Sequence, residues 1–313
     1  DIWESLIERE AEDGWGFILS GRENEFGYGS ISTPRTLATL DTILNLYGTR
    51  SLKELIQPAI EYCRNGVLIR PHMSSYWNMP ATAGRDPNIS MVNKFKETQK
   101  IYCDESGLVK KVGDLLLNPD MGQLYQDIGN YGVNHFYSGE ISQRIILDMQ
   151  ENGGLLAIED LQECTPEEHP PLWGTFFDYK IATNNTPGGG VMLVEMLNIL
   201  EEFDLKGMGH NSVEYIKVVS EVMKIATIDK DTKVGDPKFT VVPTDQLTSK
   251  SYAKAHAEKI KRGDRAVVNR VNKGNPESKC TTQLVLADVS GNCVTMTHTL
   301  GQPSGVVTEG LGF

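Results

Sequence analysis

Apolar residues recur at helical spacing along most of this chain. The pattern predicts a helix within residues 1–20, a second from Thr36 to Tyr47, and a third that begins at the N-cap Ser51. Residues 71–100 are rich in Asn, Pro and Ser and are predicted to be irregular. Further helices are predicted from the same spacing, and they cover residues 113–130, 141–149, 191–203, 213–228 and 251–260.

Strand patterns are fewer and lie in the second half of the chain. Phe176 to Ala182 is typical of a strand, and the Gly-rich loop from Asn184 to Gly190 leads into the next helix. The clearest strand signal is at residues 281–299, where two runs rich in Val, Leu and Thr flank the turn cluster Asp288 to Asn292. A three-residue loop that ends in Gly is a common hairpin connection, so we predict a β-hairpin here.

The hairpin has a definite expected register. If it is symmetric about Ser290, Thr281 lies opposite Thr299, and cross-strand partners are about 5 Å apart at Cβ. One face is then rich in hydroxyl groups, and it carries Thr281, Gln283, Val285 and Ala287 opposite Thr299, Thr297, Thr295 and Cys293. The other face, which carries Leu284 and Leu286, is expected to face the core. Thr pairs also simply stabilise sheets, so this pattern alone does not establish a site.

Composition narrows the functional classes. The net charge of −12 and the pI near 5.0 argue against nucleic acid as a partner, because phosphate binding needs a basic surface. No apolar run approaches the roughly 20 residues of a membrane helix, and no signal peptide is visible. The five cysteines show no metal-ligand spacing, so we expect no metal site. The Gly-rich loop at 184–190 matches neither the dinucleotide nor the P-loop spacing, and we expect no organic cofactor. One hairpin is not a stable sheet by itself, so we expect the chain to be a fragment that lacks both ends.

Several short motifs follow one another in a distinctive order. They are Tyr47-Gly48, Gln57-Pro58-Ala59, Phe136 to Ile141, Glu159-Asp160-Leu161, Pro187 to Gly190, Gly235 to Phe239, and Thr281-Thr282-Gln283 with Asp288 to Asn292. Each motif is weak alone, but the ordered set resembles the γ-glutamyltranspeptidase family over nearly the whole chain.

This resemblance implies an α+β fold, the αββα sandwich of N-terminal-nucleophile hydrolases. Residues 1–280 would be the large-subunit region, which ends in a polar processing loop, and residues 281–313 would begin the small subunit of the same structural domain. The precursor would cut itself between Cys280 and Thr281 to give a heterodimer. The implied enzyme takes the acyl group of a γ-glutamyl compound such as glutathione and transfers it to water, an amino acid or a peptide. Family members are often periplasmic, secreted or at the cell surface, and the sequence leaves the compartment open.

The resemblance also implies roles for individual residues. Thr281 matches the nucleophile, and its freed α-amino group, with a pKa near 7.7–8.0 in unstructured peptides, is a suitable base at neutral pH. Thr299 matches the second Thr, which orients the nucleophile. Gly301 stands where the family commonly has an Asn that holds the substrate's α-amino group, and Gln283 replaces a usual His. These departures leave two alternatives open: an acylase of other amide specificity, or an unprocessed, inactive homologue that acts as a binding protein.

Overall fold

A computed structural model describes residues 2–12, 16–81, 85–268, 281–301 and 303–313. The chain divides into two compact units. Unit 1 comprises Asp1–Pro166 and Val271–Phe313, and unit 2 comprises Glu167–Arg270.

Unit 1 is mainly helical and has short paired strands. Its helices are α1 Thr36–Tyr47, α2 Leu52–Leu55, α3 Gln57–Asn65, α4 Pro71–Trp77, α5 Ile89–Lys94, α6 Lys96–Tyr102, α7 Pro119–Tyr131, α8 Asn134–Tyr137, α9 Glu140–Glu151 and α10 Ile158–Gln162. Its strands are β1 Ile7–Glu10, β2 Phe17–Leu19, β3 Val67–Leu68, β4 Leu115–Leu116, β7 Thr281–Ala287 and β8 Cys293–Thr299. Short 3₁₀ turns span Glu4–Leu6, Ser20–Arg22 and Tyr28–Ser30.

Unit 2 is one hairpin followed by helices. The strands are β5 Leu172–Phe176 and β6 Tyr179–Thr183, and the helices are α11 Gly190–Leu200, α12 Leu205–Met208, α13 Val213–Lys233, α14 Thr244–Leu247 and α15 Lys250–Lys261. Helix α11 packs against α13 and α15 around an apolar core that includes Ile199, Val222 and Ala257. Removing these side chains from water is the main force that holds the three helices together.

All sheets in the described part of the chain are antiparallel pairs of strands. The mixture of helices and strands confirms the α+β class. Among the described residues no sheet has more than two strands.

The C-terminal segment is part of the unit 1 core. Leu311 is fully buried in the cluster formed by α7, α8 and α9, and Phe313 packs against the same cluster. Asn118 Nδ2 donates to the Gly312 carbonyl at 2.7 Å, and Gly27 N–H donates to the Ser304 carbonyl at 2.7 Å. The residues that follow β8 are therefore tied to the helices of unit 1.

Several local predictions were wrong. Within residues 2–12 and 16–20 the chain forms a 3₁₀ turn and the paired strands β1 and β2 instead of a helix, because Ile18 and Leu19 are the residues that become buried, whereas Ile2 stays exposed. Residues 71–100 contain α4, α5 and most of α6. Pro71 opens α4 at a position where proline is well tolerated, and buried Met91 fixes α5.

Two further predictions need correction in detail. The helix capped by Ser51 is divided at Ile56, because Pro58 starts a second helix there. The strand predicted at 176–182 is a hairpin, in which Phe177 adopts a left-handed conformation at the turn (φ 50°). The longer helices were predicted correctly because their apolar stripes are long and regular.

Candidate active site

The β7–β8 hairpin has the predicted register. Thr281 pairs with Thr299, and the pairing continues without a bulge to Ala287 and Cys293. Gly291 takes the left-handed conformation (φ 85°) in the connecting loop. The Asp288 carboxylate accepts hydrogen bonds from the side chain and backbone N–H of Asn292 and from Ser290 N–H, and these bonds hold the pKa of Asp288 below its usual value. Turn and register therefore support each other.

The hydroxyl-rich face of the hairpin brings the two predicted threonines together. Thr281 Oγ1 lies 3.3 Å from Thr299 Oγ1, within hydrogen-bond distance. Both residues are exposed, so a substrate can approach the hydroxyl group of Thr281. We call Thr281 and Thr299 the Thr pair. The bond between Cys280 and Thr281 cannot be described geometrically, since Cys280 lies outside the described residues.

A second set of hydrogen bonds lies beside the Thr pair on the same face. Gln283 Nε2 donates to Thr295 Oγ1 at 2.7 Å, and Thr297 Oγ1 donates to Gln283 Oε1 at 2.5 Å. These two bonds fix which way the Gln283 amide points. Because Gln is neutral at every ordinary pH, this position adds a dipole to the face but no titratable charge.

Gly301 also meets the Thr pair, but through its backbone. Its N–H donates to Thr299 Oγ1 at 2.9 Å, and its φ of 70° is in the left-handed region. No described atom lies within 4 Å of the position that a Cβ would occupy. The sequence did not predict this hydrogen bond, because the residue type gives no information about the direction of its backbone N–H.

The opposite face of the hairpin is not the core face that the sequence predicted. Leu284 and Leu286 are 46% and 62% exposed, and His298 is partly buried. Within the described residues β7 and β8 pair only with each other, and the apolar side chains of this face stay largely exposed.

Unit 2 holds a different polar group, which the sequence analysis missed. Asp229 Oδ1 accepts from Lys233 Nζ at 2.7 Å, Asp229 Oδ2 accepts from Tyr252 OH at 2.6 Å, and Glu195 lies against the same carboxylate. We call these four residues the acid cluster. Glu195 and Asp229 are only 1% and 5% exposed. A Glu inside the apolar run of α11, Val191 to Leu200, is the signal that would have revealed it.

The two acids of this cluster titrate in opposite directions. Burial, together with the nearby negative charge of Asp229, raises the pKa of Glu195 to about 9. Burial also acts to raise the pKa of Asp229, but hydrogen bonds from Lys233 and Tyr252 outweigh it and hold that pKa below its usual value. At neutral pH Glu195 is therefore a neutral acid beside an ionised Asp229.

Two other kinds of site were sought in the described ranges. No three His, Cys, Asp or Glu side chains lie close enough together there to bind a metal ion. Nor does any of the described helices combine the length and the apolar composition needed to cross a membrane.

Known proteins place the chain in one family. The γ-glutamyltranspeptidase family model matches residues 18–313. The glutathione hydrolase proenzyme of Escherichia coli K12 is 32% identical over 277 residues, which are 87% of this chain and 46% of that protein. The acylase ACY 1 proenzyme of Pseudomonas sp. strain V22 is 29% identical and covers 93% of this chain, which spans 51% of the acylase. The chain thus spans about half the length of the curated relatives that it matches.

Solved structures agree with this result. The γ-glutamyltranspeptidase of Helicobacter pylori superposes with a TM-score of 0.71 at 28% identity, covering 82% of this chain and 71% of that chain. The cephalosporin acylase of Bacillus halodurans superposes with a TM-score of 0.75 at 22% identity, covering 92% of this chain and 52% of that chain, and shows the shared fold. On the sequence match and the structural likeness together, the chain belongs to the γ-glutamyltranspeptidase family.

Proposed function

We propose that the protein containing these residues is a self-processing enzyme that hydrolyses or transfers γ-glutamyl groups through an acyl-enzyme on Thr281. The observation that carries the proposal is the Thr pair, whose hydroxyl oxygens are 3.3 Å apart on an exposed face. Family membership and relatives named as glutathione hydrolase proenzymes support it. Residues 1–280 then belong to the large subunit and residues 281–313 begin the small one, in a single structural domain.

The processing step follows from the chemistry of threonine. The Thr281 hydroxyl attacks the carbonyl carbon of Cys280, the peptide C–N bond breaks, and the Thr281 nitrogen takes up the hydroxyl proton. The resulting ester is then hydrolysed by water, which leaves a carboxylate on Cys280 and restores the Thr281 hydroxyl. The new α-amino group has a pKa near 7.7–8.0 in unstructured peptides, so a useful fraction is neutral at physiological pH.

The same hydroxyl then serves as the nucleophile toward substrate. The α-amino group accepts the Thr281 hydroxyl proton as the oxygen attacks the amide carbon, and the departing amine receives a proton. Water, an amino acid or a peptide amine next attacks the ester and releases the γ-glutamyl group. Thr299 holds the Thr281 oxygen in place, because a hydrogen bond restricts the rotation of an otherwise free hydroxyl group.

A substrate screen tests this proposal. The full-length protein is incubated with γ-glutamyl anilide and with anilides of non-glutamyl acids, and Thr281→Ala and Thr282→Ala are run beside it. We expect turnover of the γ-glutamyl compound by the wild type and by Thr282→Ala, whose side chain lies on the opposite face. Loss of activity in both variants, or activity that survives Thr281→Ala, would count against Thr281 as the nucleophile.

A second candidate function is an acylase of other specificity. It is favoured by Gly301, which has no side chain with which to hold an α-amino group, and by relatives named as acylase proenzymes. The same screen separates the two functions. Turnover of non-glutamyl amides with the γ-glutamyl compound left intact would favour the acylase, and it would leave the role of Thr281 unchanged.

A further inference from the structure

The Thr299 hydroxyl is held from two directions. Gly301 N–H points at Thr299 Oγ1 from 2.9 Å, and Thr281 Oγ1 lies 3.3 Å from the same atom. A backbone N–H can only donate, so the Thr299 oxygen accepts this bond whatever the hydroxyl proton does. Threonine is β-branched and has few side-chain rotamers, so one fixed bond to Oγ1 selects the rotamer that faces Thr281.

The anchored chain beyond Thr299 restricts the backbone conformation available to Gly301. Ser304 and Gly305 are bound to unit 1 through their carbonyls, which accept from Gly27 N–H at 2.7 Å and from Thr98 Oγ1 at 2.5 Å. Gly301 lies between the end of β8 and these anchors and donates to Thr299. Its φ of 70° is a conformation that strains a residue with a Cβ.

We propose that Gly301 is a positioning residue, whose N–H holds the Thr299 hydroxyl toward Thr281 from a left-handed backbone conformation that glycine adopts without strain. This inference rests on the proposed function and deepens it. It gives the position a role that acts through Thr299, in place of the direct substrate contact that the family resemblance implies for the Asn usually found there.

Three variants of the full-length protein perturb the Gly301 backbone to different degrees. Gly301→Pro removes the donor and also forces a negative φ, Gly301→Ala keeps the donor and only disfavours the positive φ, and Gly291→Ala is the matched control for strain at a positive φ. Gly291 also has a positive φ (85°) and no described atom within 4 Å of the place where a Cβ would stand, but it lies in the turn far along the hairpin. Thermal unfolding of each variant checks that the fold is retained.

The expected result is a loss of kcat with little change in KM. Gly301→Pro should lower kcat about 10- to 100-fold, the range in which small displacements of reacting groups act. Gly301→Ala should lower kcat less, and Gly291→Ala should keep wild-type kcat. A rise in KM at unchanged kcat would overturn the inference, because it would mean that residue 301 contacts substrate.

A double-mutant cycle tests whether Gly301 acts through Thr299. In a Thr299→Ala background, Gly301→Ala should cause no further loss, since the hydroxyl group that Gly301 positions is already gone. Equal additional loss in that background would overturn the inference while leaving Thr281 as the nucleophile. A wild-type protein that neither cleaves itself nor turns over any amide would overturn the proposed function and this inference with it.

Discussion

The Thr pair and the acid cluster are both small groups of hydrogen-bonded polar side chains, but their surroundings are opposite. The Thr pair is neutral, lies on an exposed hairpin, and joins residues 18 positions apart in the chain. The acid cluster is charged and buried, and it joins α11, α13 and α15. One group leaves its reactive oxygen accessible, whereas the two carboxyl groups of the other have almost no exposed surface.

This difference separates groups suited to chemistry from groups that hold the fold. An exposed neutral hydrogen bond contributes about 0.5–1.5 kcal/mol at most, because water competes for both partners. Breaking a buried ion pair by removing one partner costs about 3–5 kcal/mol, because it leaves a buried charge without compensation. The hairpin can therefore lose a hydroxyl group with little effect on stability, whereas unit 2 cannot lose a carboxylate.

The largest stability effect is expected at Asp229. Asp229→Ala leaves Lys233 and Tyr252 without the carboxylate that they bind, and we expect the free energy of unfolding to fall by about 3–5 kcal/mol. The control is Glu258→Ala, at an exposed position on α15, which should change the free energy of unfolding by less than about 0.5 kcal/mol. Urea unfolding monitored by circular dichroism measures both. Equal small losses would mean that the cluster does not hold the helices together.

The next largest expected effect is a pH dependence of the free energy of unfolding, caused by Glu195. The folded protein keeps the Glu195 proton up to about pH 9, whereas the unfolded chain loses it near its ordinary pKa of 4.5. Unfolding therefore releases a proton between these values, so stability falls as pH rises and stops falling above about 9. The slope contributed by this group is up to about 1.4 kcal/mol per pH unit.

Glu195→Gln should remove this slope, because a Gln side chain has a similar shape and no proton to release at these pH values. Unfolding free energies of the two proteins are compared between about pH 7 and about pH 8.5. In that window neither Asp229 nor His256 changes protonation, since the pKa of each is lowered. Wild-type and variant proteins with parallel pH dependence would show that Glu195 is already ionised in the folded state.

The smallest stability effect is expected at Thr299, where the effect on activity is large. Thr299→Ala should change the free energy of unfolding by less than about 1 kcal/mol, because the lost hydrogen bonds are exposed. The same change should lower kcat at least tenfold, and Thr299→Ser, which keeps the hydroxyl group, should recover most of it. Activity assays and urea unfolding on the same preparations measure kcat and the free energy of unfolding of each protein. A large stability loss with normal kcat would give Thr299 a structural role instead.

The sequence predicted the hairpin well because its signals are local. The turn residues Asp288 to Asn292 and the two-residue alternation set the register, and the register places Thr281 opposite Thr299. The long helices followed from regular apolar spacing in the same way.

The errors arose where structure depends on distant contacts. The N-terminal β1–β2 hairpin depends on the burial of Ile18 and Leu19, which no spacing rule reveals. The Gly301 bond is made by a backbone N–H, and Glu195 meets Asp229 across 34 positions of sequence. Such contacts follow from the packing of whole elements, so they become visible only in three dimensions.

The most direct test of the account is intact mass and N-terminal sequencing of the full-length protein after incubation at neutral pH. Wild type and Thr282→Ala should each give two chains, one of which begins at residue 281, and Thr281→Ala should remain a single chain. A wild-type protein that stays whole would contradict the account and would favour an unprocessed homologue that acts as a binding protein. Cleavage of Thr281→Ala at the same bond would equally contradict it, because the cut would not depend on the Thr281 hydroxyl.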